Sequence, residues 1–131
     1  MEYVKPDIAV LTGDMVSGYA WDKKDKTFYQ RQWKKFTQIF HDTKTLYAYA
    51  LGNHDHQANY NYHQITEMDL THPYSLFIKG EVKDNESASN YMLPLYSGIK
   101  GRENEVTTGL WILDSKDTGC DDMKKTYACF N

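Results

Sequence analysis

The sequence predicts an α/β fold, and three successive segments carry that prediction. Asp7-Ile8-Ala9-Val10-Leu11-Thr12 is a short apolar run that leaves through Gly13-Asp14. Tyr29, Trp33, Phe36 and Phe40 then recur at steps of four, three and four, the spacing of one helix face. Thr45-Leu46-Tyr47-Ala48-Tyr49-Ala50-Leu51 is a second β-rich run, closed by Gly52-Asn53.

The first run enters through Lys5-Pro6 and has no polar alternation, so it reads as a strand buried on both faces. Asp25 or Thr27 is placed to cap the helix, and His41-Asp42-Thr43-Lys44 breaks its period. In the second strand Tyr47 and Tyr49 share one face, expected to pack against helices. A strand, helix, strand unit normally makes parallel strands with a right-handed crossover, so both following loops open on one sheet edge. Gly13-Asp14 and Gly52-Asn53-His54-Asp55 are therefore expected to meet.

Beyond Gln57 the pattern softens. Residues 57–70 read as an irregular helix, His72-Pro73 interrupts, and Tyr74 to Ile78 reads as a strand. Lys79 to Ser87 reads as a surface turn. Ala88 to Leu95 and Thr108 to Leu113 read as strands around an exposed loop, Tyr96 to Thr107. The tail from Cys120 to Asn131 shows no period, and there is no internal repeat.

The 131 residues fit one domain or part of one, with 40% apolar and 25% charged residues, a globular balance. Eleven tyrosines are the compositional peculiarity. Net charge is −3 without a basic run, so no nucleic-acid partner is expected. No window approaches the roughly 20 apolar residues of a membrane span, nor does residue 1 onward read as a signal peptide. No membrane partner is expected, and the compartment stays open: cytoplasmic if Met1 is the true start. Cys120 and Cys129 lack metal-site spacing and read as ordinary thiols. Asn85-Glu86-Ser87 is a glycosylation sequon that matters only in a secreted protein.

Loops at strand ends are where a rigid sheet can hold chemistry. Gly13-Asp14 offers a carboxylate able to bridge two cations, although a lone Gly-Asp is also a common turn. Gly52-Asn53-His54-Asp55 is more specific. It combines a neutral oxygen ligand, an imidazole able to donate a proton, and a carboxylate able to orient that ring.

Leu11-Thr12-Gly13-Asp14 and Leu51-Gly52-Asn53-His54-Asp55 resemble the second and third motifs of the calcineurin-like metallophosphoesterases. Lys5-Pro6-Asp7, Ser89-Asn90-Tyr91-Met92-Leu93-Pro94 and Leu110-Trp111-Ile112-Leu113-Asp114-Ser115 look like the purple-acid-phosphatase-related branch, so the likeness spans residues 5 to about 115. The resemblance implies a partial metallophosphoesterase sandwich, mixed β-sheets flanked by helices, over 1–131. It implies that Asp14 bridges a pair of metal ions (Fe, Mn or Zn) and that Asn53 ligates the second. His54 would contact the scissile phosphate or its leaving oxygen, and Asp55 would hold the ring of His54. The implied activity is hydrolysis of a phosphomonoester or phosphodiester substrate.

Two departures qualify the likeness. Where the purple enzymes carry an iron-binding Tyr, three residues after the Asp, this chain has Ser17, and Tyr19 lies two residues further on. The family's opening Asp-x-His and closing Gly-His and Gly-His-x-His motifs are missing, since all five histidines (His41, His54, His56, His63, His72) precede residue 73. Asp14 and Asn53 alone cannot hold two ions, so the chain is expected to be a fragment with little activity of its own, Met1 being an internal methionine. Two other readings stay open: a non-catalytic module binding phosphate or a protein, and a makeshift site from Asp14, His54, His56 and His63. Tyr60, Tyr62 and Tyr74 are candidates for substrate stacking, with core packing as the plainer role.

Overall fold

The computed structural model describes residues 4–79 and 90–114. Among them run β1 (Ile8–Leu11), α1 (Phe28–Thr43), β2 (Leu46–Tyr49), α2 (Tyr62–Leu70), β3 (Tyr91–Tyr96) and β4 (Val106–Ile112). This is a mixed fold with two small sheets: β1 and β2 pair in parallel, and β3 and β4 antiparallel. The register sets Ala9 beside Tyr47 and Leu11 beside Tyr49, which brings both strand C-termini to one edge.

Alternation along β2 divides the core in two. Tyr47 and Tyr49 are fully buried with Tyr29, Trp33 and Phe40 of α1 and Ile65 of α2, while Ala48 faces Phe77, Tyr91, Leu93 and Ile112. Ring centroids lie 4.6 Å apart for Phe40 and Tyr47 and 4.9 Å for Trp33 and Tyr49, within the range where tilted aromatic pairs attract. The helices thus cover one face of the parallel sheet and the β3–β4 pair the other.

The expectation of a first strand buried on both faces is corrected. Val10 is 44% exposed, because β1 is the outer strand of a two-stranded sheet among the described residues. Tyr74 to Ile78 is corrected as well: it makes one bridge, Ser75 beside Tyr47, with Tyr47 N donating to Tyr74 O and Leu76 N to Tyr47 O. Further along that edge a side chain replaces a strand. The Tyr91 hydroxyl accepts from Tyr49 N at 2.9 Å and donates to Tyr49 O at 3.0 Å.

Helix ends differ from expectation too. Thr27 occupies the N-cap position of α1, but its side chain makes no capping bond to the helix; Asp25 instead accepts from Thr27 N and Oγ1. The N–H of Tyr29 is satisfied by Asn59 Oδ1 at 2.9 Å, from far along the chain. His41-Asp42-Thr43 continues the helix rather than breaking it. The stop comes at Lys44, left-handed at φ 54, with Thr45 N reaching back to Phe40 O. The stretch 57–70 resolves into a 3-10 turn over Asp55–Gln57 and then α2, started by an Asn61 and Gln64 capping box. β3 and β4 agree with the expected strands to within a few residues, and the exposed loop is residues 97–105. Asn85, Cys120, Cys129 and most of Lys79 to Ser87 lie outside the described residues, as does the tail.

Candidate functional site

The turn after β1 and the turn after β2 touch, and glycines make the approach feasible. A Cβ on Gly13 would sit 2.6 Å from Gly52 Cα and N, and one on Gly52 would sit 2.2 Å from Asp14 N and Oδ1. No other residue type fits either place. Gly13 (φ 94) and Asp14 (φ 56) are both left-handed, a conformation that Asp tolerates better than most residues.

Asp55 is the clamp between the turns. Its side chain is fully buried, with Oδ2 accepting from Asp14 N at 2.9 Å and Gly52 N at 2.8 Å and Oδ1 from Val16 N at 3.1 Å. The expectation that Asp55 orients the His54 ring is therefore corrected. Backbone donors of both turns occupy the carboxylate, a common use of an Asp in a turn. Its charge also reaches the core: burial, then the Asp55 charge, pushes the Tyr29 phenol upward, and burial, with Tyr29 and Asp55 following, does the same to Tyr49.

His54 stands at the mouth of this clamp. Its backbone N donates to Asp14 Oδ1 at 2.9 Å and its backbone O accepts from Gly18 N at 3.2 Å. Nδ1 lies 2.9 Å from Gln57 Oε1 and Nε2 lies 3.2 Å from Asn53 Nδ2. The Tyr19 ring packs against the imidazole at 4.8 Å and stays 79% exposed. Asp14 and His54 thus meet from loops 40 positions apart, with the Asn53 amide beside the His54 ring.

The makeshift set does not come together. Among the described residues no group of three or more His, Cys, Asp or Glu is arranged to hold a metal. His56 packs on Tyr62 at 4.3 Å, and His63 lies on α2 near Tyr60 and Glu67. Tyr60 stacks on Tyr29 and Tyr74 lies edge-on to His41, so Tyr60, Tyr62 and Tyr74 are dispersed packing residues. His72 lies against Tyr47 and is held below its ordinary range by burial and then by the neighbouring His41.

For a pair of cations the donor chemistry is incomplete. Asp14 offers a carboxylate with one oxygen engaged by His54 N, and Asn53 offers a side-chain amide whose Nδ2 lies against the His54 ring. Those two groups do not fit a pair of cations. Gln57 and Tyr19 were missed by the sequence reading. Gln57 carried a usable signal, its spacing of three from His54, one turn of helix. Tyr19 carried none.

Among the described residues no helix is long and apolar enough to cross a membrane. Comparisons with family models, with curated proteins and with solved structures return no match.

Proposed function

We propose that the chain carries the phosphate-facing part of a phosphoester hydrolase of the calcineurin-like, metal-dependent kind, the remaining cation ligands lying beyond the described residues. The observation that supports the reading is the junction of the two turns, where Asp55 accepts from Asp14 N and Gly52 N and the Asp14 carboxylate accepts from His54 N. In that reading Asp14 and Asn53 are part of the cation-binding set. As a water oxygen bonds to phosphorus and the ester P–O bond breaks, His54 in its imidazolium form gives a proton to the leaving oxygen, the attacking water loses one to solvent, and the alcohol departs neutral. Its half-buried position beside an exposed Tyr19 leaves it open to a substrate.

The incomplete donor set favours a second reading, a module that binds phosphate without hydrolysing it. One pair of measurements separates them. Hydrolysis of aryl phosphomonoesters and phosphodiesters is assayed with Mn2+ or Zn2+ present, and orthophosphate binding is followed through His54 ring signals. Turnover that disappears in Asp14→Asn and Asn53→Ala supports the hydrolase. Phosphate binding without turnover supports the module. Turnover indifferent to Asp14, or neither turnover nor binding, overturns both.

A further inference from the structure

A histidine that handles a proton must present one ring nitrogen while the other is held. The usual device is a carboxylate, but the only one in the motif, Asp55, is occupied by the N–H groups of Asp14, Val16 and Gly52. The polar group against His54 Nδ1 is instead the amide of Gln57, with Oε1 at 2.9 Å. The orientation of that amide is set at its other end, where Gln57 Nε2 donates to Asn53 O at 3.3 Å. Turning the amide over would put two carbonyl oxygens together there and leave both without a hydrogen. With Oε1 on the ring, Nδ1 must be the donor.

We propose that Gln57 is the positioning residue of His54, locking it in the Nδ1–H tautomer and leaving Nε2 as the nitrogen that exchanges a proton with the substrate. This rests on reading His54 as the acid of a phosphoester hydrolase. Asn53 points the same way. Its Nδ2 lies 3.2 Å from Nε2, which suits a bare Nε2 in the neutral ring; once Nε2 takes up the proton it is to give, that contact must open and Nε2–H is free to face the substrate. The bond from Nδ1 to Gln57 is also indifferent to the charge of the ring, because Nδ1 carries hydrogen in both the imidazole and the imidazolium. Nδ1 therefore keeps its bond to Gln57 without the ring turning, and the Tyr19 ring lies beside it at 4.8 Å, tilted by 53°. A neutral amide further spares the site a second negative charge where an anionic substrate must approach.

The test reads the tautomer directly, by two-bond proton to nitrogen correlation on 15N-histidine-labelled protein at a pH where the rings are neutral. The His54→Asn variant identifies the His54 signals by subtraction. Wild type is expected to show a protonated Nδ1 and a bare Nε2 for His54, the reverse of the tautomer preferred by histidine in water. Gln57→Leu is expected to lose that signature, and Gln57→Glu to restore it. Gln57 is exposed, so both variants should melt with the wild type, which a thermal scan checks. A protonated Nε2 in wild type, or an unchanged signature in Gln57→Leu, overturns the proposal. Turnover enters neither readout, so failure here leaves the hydrolase reading standing, and failure of the hydrolysis assay leaves the tautomer result standing.

Discussion

Replacing Asp55 separates two roles that one motif can hold. If the carboxylate clamps the turns, Asp55→Ala removes three hydrogen bonds to an ionised acceptor and strands the N–H groups of Asp14, Val16 and Gly52. At about 1.5 kcal/mol for each such bond, the loss comes to about 4.5 kcal/mol, a large share of the stability of a small domain. Asp55→Asn can keep its carbonyl on the Asp14 and Gly52 donors, but its NH2 then faces Val16 N–H, a loss of about 2 kcal/mol. Urea unfolding at matched slope measures both. A carboxylate that merely orients a half-exposed imidazole would cost little stability and mainly activity. Loss of less than about 1 kcal/mol in Asp55→Ala, beside a large loss of turnover, would refute the clamp.

Tyr91→Phe removes the hydroxyl that serves both Tyr49 N and Tyr49 O, leaving two buried backbone groups without partners; a loss of about 2–3 kcal/mol is expected in the same unfolding assay. Gly52→Ala would thrust a methyl 2.2 Å from Asp14 N and Oδ1, and is expected to cost about 3 kcal/mol or prevent folding, read by thermal melting and by amide spectra. Asp69 lies fully buried, accepting from the Tyr47 hydroxyl and Ser75 Oγ at 2.6 and 2.7 Å. Burial raises its carboxyl above the ordinary range against the pull of those two donors. A raised folded value means that the contribution is complete below the unfolded pKa of about 4 and is lost as pH rises through the folded value. The stability of wild type minus that of Asp69→Asn should therefore fall across that window in denaturant titrations, and a flat or rising difference would contradict the assignment.

How far the sequence could be read depended on whether a feature was local or built across the chain. The strand, helix, strand order and the meeting of Asp14 with His54 were legible because apolar runs and a regular helical period leave few alternatives, and the chain has only one way to return a parallel strand. The partner of His54 was not. Asn-His-Asp invites the neighbouring carboxylate onto the ring, yet the pressing need at that point is three backbone donors from two turns, which only tertiary geometry reveals. The same holds for Asn59 satisfying the start of α1 and for the Tyr91 hydroxyl standing in for a strand, where donor and acceptor lie 30 and 42 positions apart. Tyr74 to Ile78 has strand-like composition but only one bridge, since composition does not say how long two edges stay in register.

The most direct test of the account is to add Mn2+ to 15N-labelled protein and follow relaxation of every assigned amide. Selective broadening at Asp14 and at Asn53 and His54 together, sparing α2 and β4 and abolished by Asp14→Asn, is the predicted result. Broadening at only one of the two turns, or at neither, would contradict a shared cation-facing site.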